Sequence, residues 1–410
     1  MPTDGSCTPA HRTADGRPSS GRALCGRRAE RLTTVGVMRT GAPDLDDVDD
    51  LIAADTEGLL HAAALAGAQV RSVAEAVREG VAEPLSELRP RSVVIVCAPG
   101  GPAAGATAMV CAMLATRVDV PIVCTSALPG WIGPLDVVVL AGIDGGDMTL
   151  ADAAARSLRR RAEVVISAPI EGPLRDALGG NGIDFSPRVD VDPRFRFPGF
   201  VAVLLAVFTA LTQVRFTGSA PTVSDLADAL DSEAAADHPA RETFHNQAKI
   251  LAARLGEGPV MWTGDSPATL AVADRAAAVL FAVSGSRCAT ADLADISRVS
   301  RDIWSVAEAG SAADSLFYDP QIDGPRGDGP PRVMVATTAA REWDTRRRIG
   351  ALASTEVLVG ADADAQVPPV VGGDPAEPAD APGDLTSLLV LMLRIEMAAV
   401  YLRLIGAEQG

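Results

Sequence analysis

The feature that most constrains this chain is a repeated unit: a wholly apolar run, a glycine-rich turn, then a helical pattern. SVVIVCA (Ser92 to Ala98) reads as a strand, Pro99 to Gly105 as the turn, and Ala106 to Leu114 as a helix. VPIVCTS gives a second strand. LDVVVLAG gives a third, followed by GIDGGD and a helix from about Thr149 to Arg161. AEVVISA gives a fourth, with a helix from about Gly172 to Leu178. Strands that are apolar on both faces and alternate with helices predict an α/β fold whose parallel sheet is covered on both sides. Ligands of such sheets sit beyond the carboxyl ends of the strands. The rhythm restarts at GPVMWTGDSPATLAVADRAAAVL and continues through PRVMVATT and STEVLVG.

Helical patterns surround these units: Asp44 to Glu79, Phe200 to Val214, Val223 to Leu230, Pro239 to Leu255 and Leu385 to Ile405. The acidic cluster at Asp44, Asp46, Asp47, Asp49 and Asp50 suits a helix N-terminus, and it lacks the ligand spacing of a calcium loop. The expected organisation is a disordered tail over residues 1–38, an N-terminal domain over 39–220 and a C-terminal domain over 221–410. Residues 360–383, rich in Ala, Asp, Pro and Gly, read as a flexible insert. The tail carries six arginines and three acidic residues without apolar periodicity. That composition can mimic a transit peptide, but an unstructured extension is the expectation.

The whole chain has 410 residues and a formal charge of −17. So acidic a chain is a poor general binder of nucleic acid or anionic membrane. GFVAVLLAVFTALTQV (Gly199 to Val214) is shorter than a bilayer span, and Leu385 to Ile405 is interrupted by Arg394, Glu396 and Arg403. Both are expected to be core helices. Cys97, Cys111 and Cys124 lie in apolar runs and are expected to be buried thiols in a cytoplasmic protein. No metal site and no cofactor is expected. Lys249 is the sole lysine.

The order of these segments resembles that of the bifunctional phosphoglucose/phosphomannose isomerases, in particular their actinobacterial TobH-like relatives. The residues that carry the resemblance are APGGPAAG, TSALPGWIGPLDVVVLAGIDGGD, NQAKILAARL, VMWTGDSPATLAVADRAA and MAAVYLRLIGAEQG, from about Leu45 to Gly410. The resemblance implies two sugar-isomerase (SIS) domains, each a flavodoxin-like parallel five-stranded sheet. It also implies a homodimer and aldose–ketose interconversion of hexose 6-phosphates, with a sugar phosphate or carbohydrate derivative as ligand. Such chemistry needs amides and hydroxyls for the phosphate, a carboxylate base at the carbon acid and support for the enediolate.

The sequence departs from that pattern where it matters. After Gly100 and Gly101 the family's serine is replaced by Pro102. The serine- and threonine-rich phosphate turn becomes Gly142-Ile143-Asp144-Gly145-Gly146-Asp147, with Thr149 the nearest hydroxyl. A carboxylate about 4 Å from a phosphate repels it by roughly 1 to 4 kcal/mol at effective dielectrics of 80 to 20. Arg275 matches a family arginine, but the base position falls on Ala282. The family's His-Asn pair maps near Phe317 or Tyr318, and tyrosine is a poor base at neutral pH. His245-Asn246 reads as a helix-surface pair, His238 as a helix-start marker, and His61 as a packed or surface residue. Ser266, in Gly264-Asp265-Ser266, either caps a helix or holds a ligand hydroxyl. The candidate ligand-binding set is therefore Gly100, Gly101, Asp144, Gly145, Gly146, Thr149, Ser266 and Arg275, and no residue is assigned as catalytic. The expected function is a SIS protein with a degenerate site that binds a carbohydrate derivative or partner without catalysis; the alternative is an active isomerase with rearranged residues.

Overall fold

A computed structural model describes residues 44–256, 258–301, 331–350, 352, 354–360 and 380–406. The tail 1–38, the segment with Phe317 and Tyr318, and 361–379 of the expected insert lie outside the described residues.

The single helix expected over Asp44 to Glu79 is three helices: α1 (Val48–Ala54), α2 (Leu59–Ala64) and α3 (Ala66–Arg78). The Asp55 carboxylate breaks the first from the second, because it accepts from the Leu59 and Leu60 amides at 2.8 and 2.9 Å. An aspartate that satisfies orphan amides starts a helix anew. Asp47 caps α1 in the same way, accepting from the Asp50 amide at 3.0 Å.

Five parallel strands follow: β1 (Ser92–Cys97), β2 (Ile122–Thr125), β3 (Asp136–Ala141), β4 (Glu163–Ser167) and β5 (Ile183–Asp184), in the order β2-β1-β3-β4-β5. β1 and β3 lie side by side with Cys97 opposite Ala141, so their carboxyl ends finish level. Every residue of β1 and β3 is buried, as the double-sided apolar pattern requires. The connecting helices are α4 (Gly101–Leu114), α5 (Met148–Arg159), α6 (Gly172–Leu178) and α7 (Phe197–Ala210). α4 starts earlier than expected because Pro102 fits the first turn, where no N–H is needed.

Next come α8 (Val223–Ala236) and α9 (Gln247–Leu255). The helix expected from Pro239 begins only at Gln247. His238 sits in a turn, not at a helix start, and its Nδ1 accepts from the Ala240 amide at 3.1 Å. Lys249 clamps that turn: its buried ammonium donates to the Pro239 and Arg241 carbonyls, both at 2.7 Å. Nor are His245 and Asn246 both on the surface. His245 is exposed, but Asn246 is fully buried and caps α9 by accepting from the Lys249 amide. Burial of thiols is also uneven: Cys97 is buried, Cys111 half-buried and Cys124, near the sheet edge, exposed.

The second sheet contains β6 (Val260–Gly264), β7 (Cys288–Thr290), β8 (Arg332–Thr337) and β9 (Thr355–Val359), parallel in the order β7-β6-β8-β9. Four strands are present among the described residues, against the five expected. α10 (Pro267–Ser284), α11 (Leu293–Val299) and α12 (Glu342–Ile349) accompany them, and α13 (Leu385–Gly406) closes the molecule. α10 is long and apolar enough to cross a membrane by length and composition alone, but most of it is buried against α4, α13 and β6. α7 and α13 are core helices. One continuous core runs from β1, α4 and α7 through α10 to α13 and β6.

Of the charges that interrupt α13, Arg394 and Glu396 are buried, whereas Arg403 pairs with the exposed Glu57. Arg394 donates to Glu233 at 2.6 Å and to the Val359 carbonyl at 3.0 Å. Buried charges persist only when paired in this way.

Candidate functional site

The loops after β1 and β3 leave neighbouring strands at the carboxyl edge of the first sheet. Gly100 and Gly101 take φ of 79° and 71°. A Cβ there would touch nothing, so it is the left-handed backbone that calls for glycine. Residues 98–101 are exposed and Pro102 is buried. Gly145 is glycine for a different reason. A Cβ would come within 2.6 Å of the Pro169 carbonyl and of Glu171 Cγ, so the loop packs tightly against residues 169–171. The Leu174 amide donates to the Gly145 carbonyl at 3.1 Å, which fixes that approach.

Two amides of this loop are already engaged by its own side chains. Asp144 Oδ1 accepts from the Gly146 amide at 2.7 Å, and Asp147 Oδ1 accepts from the Thr149 amide at 2.7 Å. Asp147 is the N-cap of α5. Two of the donors that a phosphate could use at this helix N-terminus therefore face the chain's own carboxylates. Thr149 is exposed, next to the exposed Met148 and Ile143.

Ser266 lies elsewhere, at the carboxyl end of β6. It caps α10 in a reciprocal box with Thr269, and its hydroxyl also donates to Asp380 Oδ1. Of the two roles left open by the sequence, the cap is made, and the hydroxyl is held by a carboxylate of the chain itself. Around it lies a cluster centred on Asp265, a carboxylate the sequence offers to an active isomerase, whose partners Thr337, Thr345 and Arg341 sequence reasoning missed. The Asp265 carboxylate accepts from the hydroxyls of Thr337, Thr345 and Thr269 and pairs with Arg341. Arg341 also lies 3.5 Å from Asp380. Two carboxylates face one guanidinium, a balance that disfavours a further anion. Thr337 at the carboxyl end of β8 was the available signal, because polar residues at that end of a parallel strand are placed for ligands.

Arg275 is not with either group. It is buried on α10 between α4, α13 and the turn before α7. Its Nη2 donates to the Arg194 carbonyl and lies 3.5 Å from Glu396 Oε1. Its Cδ would sit 3.2 Å from a Cβ at Gly105. Glu396 is fully buried, and burial pushes its carboxyl up to about 7 despite the Arg275 charge. Ala282 is exposed on the last turn of α10. Among the described residues, no group of three or more His, Cys, Asp or Glu side chains is arranged to hold a metal ion.

The structure thus gathers Gly100, Gly101, Asp144, Gly145, Gly146 and Thr149 at one sheet edge. It sets Ser266 on the second sheet and Arg275 in the core between them.

Two parallel sheets, with the loops of the first at its β1/β3 switch point, match the α/β fold of solved phosphosugar isomerase structures. The solved structures that share it include a "putative phosphosugar isomerase" from Bacillus subtilis, with a TM-score of 0.50, 16% identity, and 82% of this chain and 93% of that chain covered. Tagatose-6-phosphate ketose/aldose isomerase from Escherichia coli gives a TM-score of 0.51, 12% identity and coverage of 86% and 93%. The C-terminal domain of glucosamine-fructose-6-phosphate aminotransferase from Francisella tularensis gives 0.51, 11% identity and coverage of 85% and 96%. No protein-family model matches the chain, and no curated protein matches it.

Proposed function

We propose that this chain is a SIS-fold protein of the phosphoglucose/phosphomannose isomerase type, in its TobH-like branch, whose inherited phosphate site has been closed to phosphate. It binds a carbohydrate derivative or a partner without isomerising a sugar, as a cytoplasmic homodimer. The observation that carries this reading is the capture of the Gly146 and Thr149 amides by Asp144 and Asp147. A phosphate oxygen would have to displace a carboxylate from each donor and then remain beside it. The same carboxylates are acceptors for sugar hydroxyls, so the loop suits an uncharged carbohydrate face better than a phosphoryl group. The Asp265–Arg341–Asp380 cluster, with two carboxylates on one guanidinium, supports the reading from the second sheet.

The test is proton exchange. The protein is incubated with glucose 6-phosphate, mannose 6-phosphate and fructose 6-phosphate in heavy water, and deuterium at C2 is followed by NMR. No enzyme-dependent incorporation is expected. Incorporation that disappears in Asp144→Asn or Asp265→Asn would establish an active isomerase with rearranged carboxylates and overturn the proposal.

A further inference from the structure

β1, β2 and α4 bring three thiols to one face of the first sheet. Side chains alternate along a strand. Val93, Ile95 and Cys97 of β1 belong to the core that α4 covers, whereas Val94 and Val96 face the other way. Cys124 stands beside Ile95 in the parallel register, and Ile122, two residues earlier, packs on the same core as Ile95. Cys124 therefore points to the α4 side of β2, the outermost strand of the sheet. On α4, Thr107 marks the level of Cys97, whose thiol donates to its hydroxyl at 3.9 Å. As the helix of a crossover between parallel strands, α4 runs back along β1. Cys111 is one turn beyond Thr107, about 6 Å down the helix axis, and Ile95 is about 6.6 Å back along β1 from Cys97. Cys111 is thus level with Ile95 and with Cys124 beside it. Its thiol donates a hydrogen bond to the Cys124 sulfur.

We propose that Cys111 and Cys124 form a redox pair, which hydrogen peroxide converts to a disulfide tying α4 to the edge strand and a thiol reductant restores. Both are free thiols; Cys124 is exposed and Cys111 half-buried. The hydrogen bond from Cys111 holds the Cys124 thiol below its usual range, and the same bond together with burial pushes Cys111 up. The thiolate is the nucleophile, so the first attack falls to Cys124. Its sulfur bonds to one peroxide oxygen, the O–O bond breaks, and hydroxide leaves as water with the proton that the thiol gave up. The product is a sulfenic acid, two electrons more oxidised. The Cys111 sulfur then attacks the Cys124 sulfur, the S–O bond breaks, and the hydroxyl departs with the Cys111 proton as a second water. Cys97 and Cys288 are poor competitors, because burial pushes both thiols up.

The full chain is treated with hydrogen peroxide at neutral pH, the remaining thiols are alkylated, and the tryptic peptides are mapped by mass spectrometry. Cleavage after Arg91, Arg117 and Arg156 puts Cys111 and Cys124 on separate peptides, 92–117 and 118–156. These two peptides are expected to appear joined through Cys111 and Cys124, with Cys97 alkylated, and to separate on treatment with dithiothreitol. The link should form at least about tenfold faster than Cys288 is oxidised. Cys97→Ala should keep it. Cys111→Ser should abolish it and leave a sulfenic acid on Cys124 that dimedone traps. A link that survives Cys111→Ser, oxidation that begins at Cys97 or Cys288, or a wild-type Cys124 that proceeds to the sulfinic acid without linking would overturn the proposal. The wild-type map decides it even where a variant does not fold.

Discussion

If Asp144 and Asp147 close the β3 loop to anions, removing their charge should open it. The double variant Asp144→Ser, Asp147→Ser keeps a short oxygen side chain at each position, so α5 retains a cap of comparable quality. In the wild type each carboxylate oxygen lies 2.7 Å from the amide nitrogen it occupies. A phosphate oxygen on the same amide would sit about 2.9 Å from that nitrogen, leaving the displaced carboxylate about 4 Å from it. The repulsion at that distance is about 1 kcal/mol per charge pair in water-like surroundings and about 4 kcal/mol at an effective dielectric of 20. Asp144 is exposed, so the lower end applies to it. Two carboxylates together then cost about 2 to 5 kcal/mol, or roughly thirtyfold to several thousandfold in affinity. The assay is titration of fructose 6-phosphate by calorimetry, with phosphorus NMR line broadening as a second readout. Measurements at low and at physiological salt separate screened repulsion from direct competition for the amides. The double variant should bind fructose 6-phosphate at least thirtyfold tighter than the wild type, most clearly at low salt. A folded double variant that binds no better, or a wild type that already binds in the micromolar range, would refute the reasoning.

Three further outcomes are expected. Burial, reinforced by the Glu233 charge, pushes Asp237 up to about 8 from an ordinary 3.8. The folded state therefore holds a proton that the unfolded chain releases, and this contribution to stability is lost as pH rises from about 4 to about 8. Asp237→Asn keeps the acceptor for the Ala248 amide, so its denaturation midpoint relative to wild type should improve across that range. A constant difference would show that Asp237 does not titrate there. Gly145→Ala should lose about 1 to 3 kcal/mol in urea unfolding, because its methyl group would meet the Pro169 carbonyl at 2.6 Å. Lys249→Met should lose about 2 to 4 kcal/mol by stranding the Pro239 and Arg241 carbonyls; full stability in this variant would show that water replaces the ammonium.

The periodic part of the chain was readable in advance. β1, β3, β4, β6, β8 and β9 are apolar runs long enough to stand out, and their order carries the fold. β5 and β7 were not readable, because strands of two and three residues at a sheet edge leave no period to detect. The split between α1 and α2 depends on one side chain, Asp55, turning back on two amides. At the candidate site, the change from hydroxyl to carboxylate at Asp144 was legible as charge. The capture of two amides needed coordinates. Arg275 shows the limit most plainly: its partner Glu396 is 121 positions further along, and no local pattern announces that pairing. The same holds for Asp265 and Arg341, joined only when β6 and β8 lie together.

α13 is the latest element of the described chain, yet it packs against α2, α8, α9 and α10. During synthesis, everything it covers emerges first and waits with an oily surface in contact with water. Neither half can finish closing before the ribosome has made residue 400 or so. Deleting the chain from Leu385 onward should yield an aggregating polypeptide in place of a shortened but working one, and a holdase chaperone that shields exposed apolar surface would be expected to engage the nascent chain at that stage.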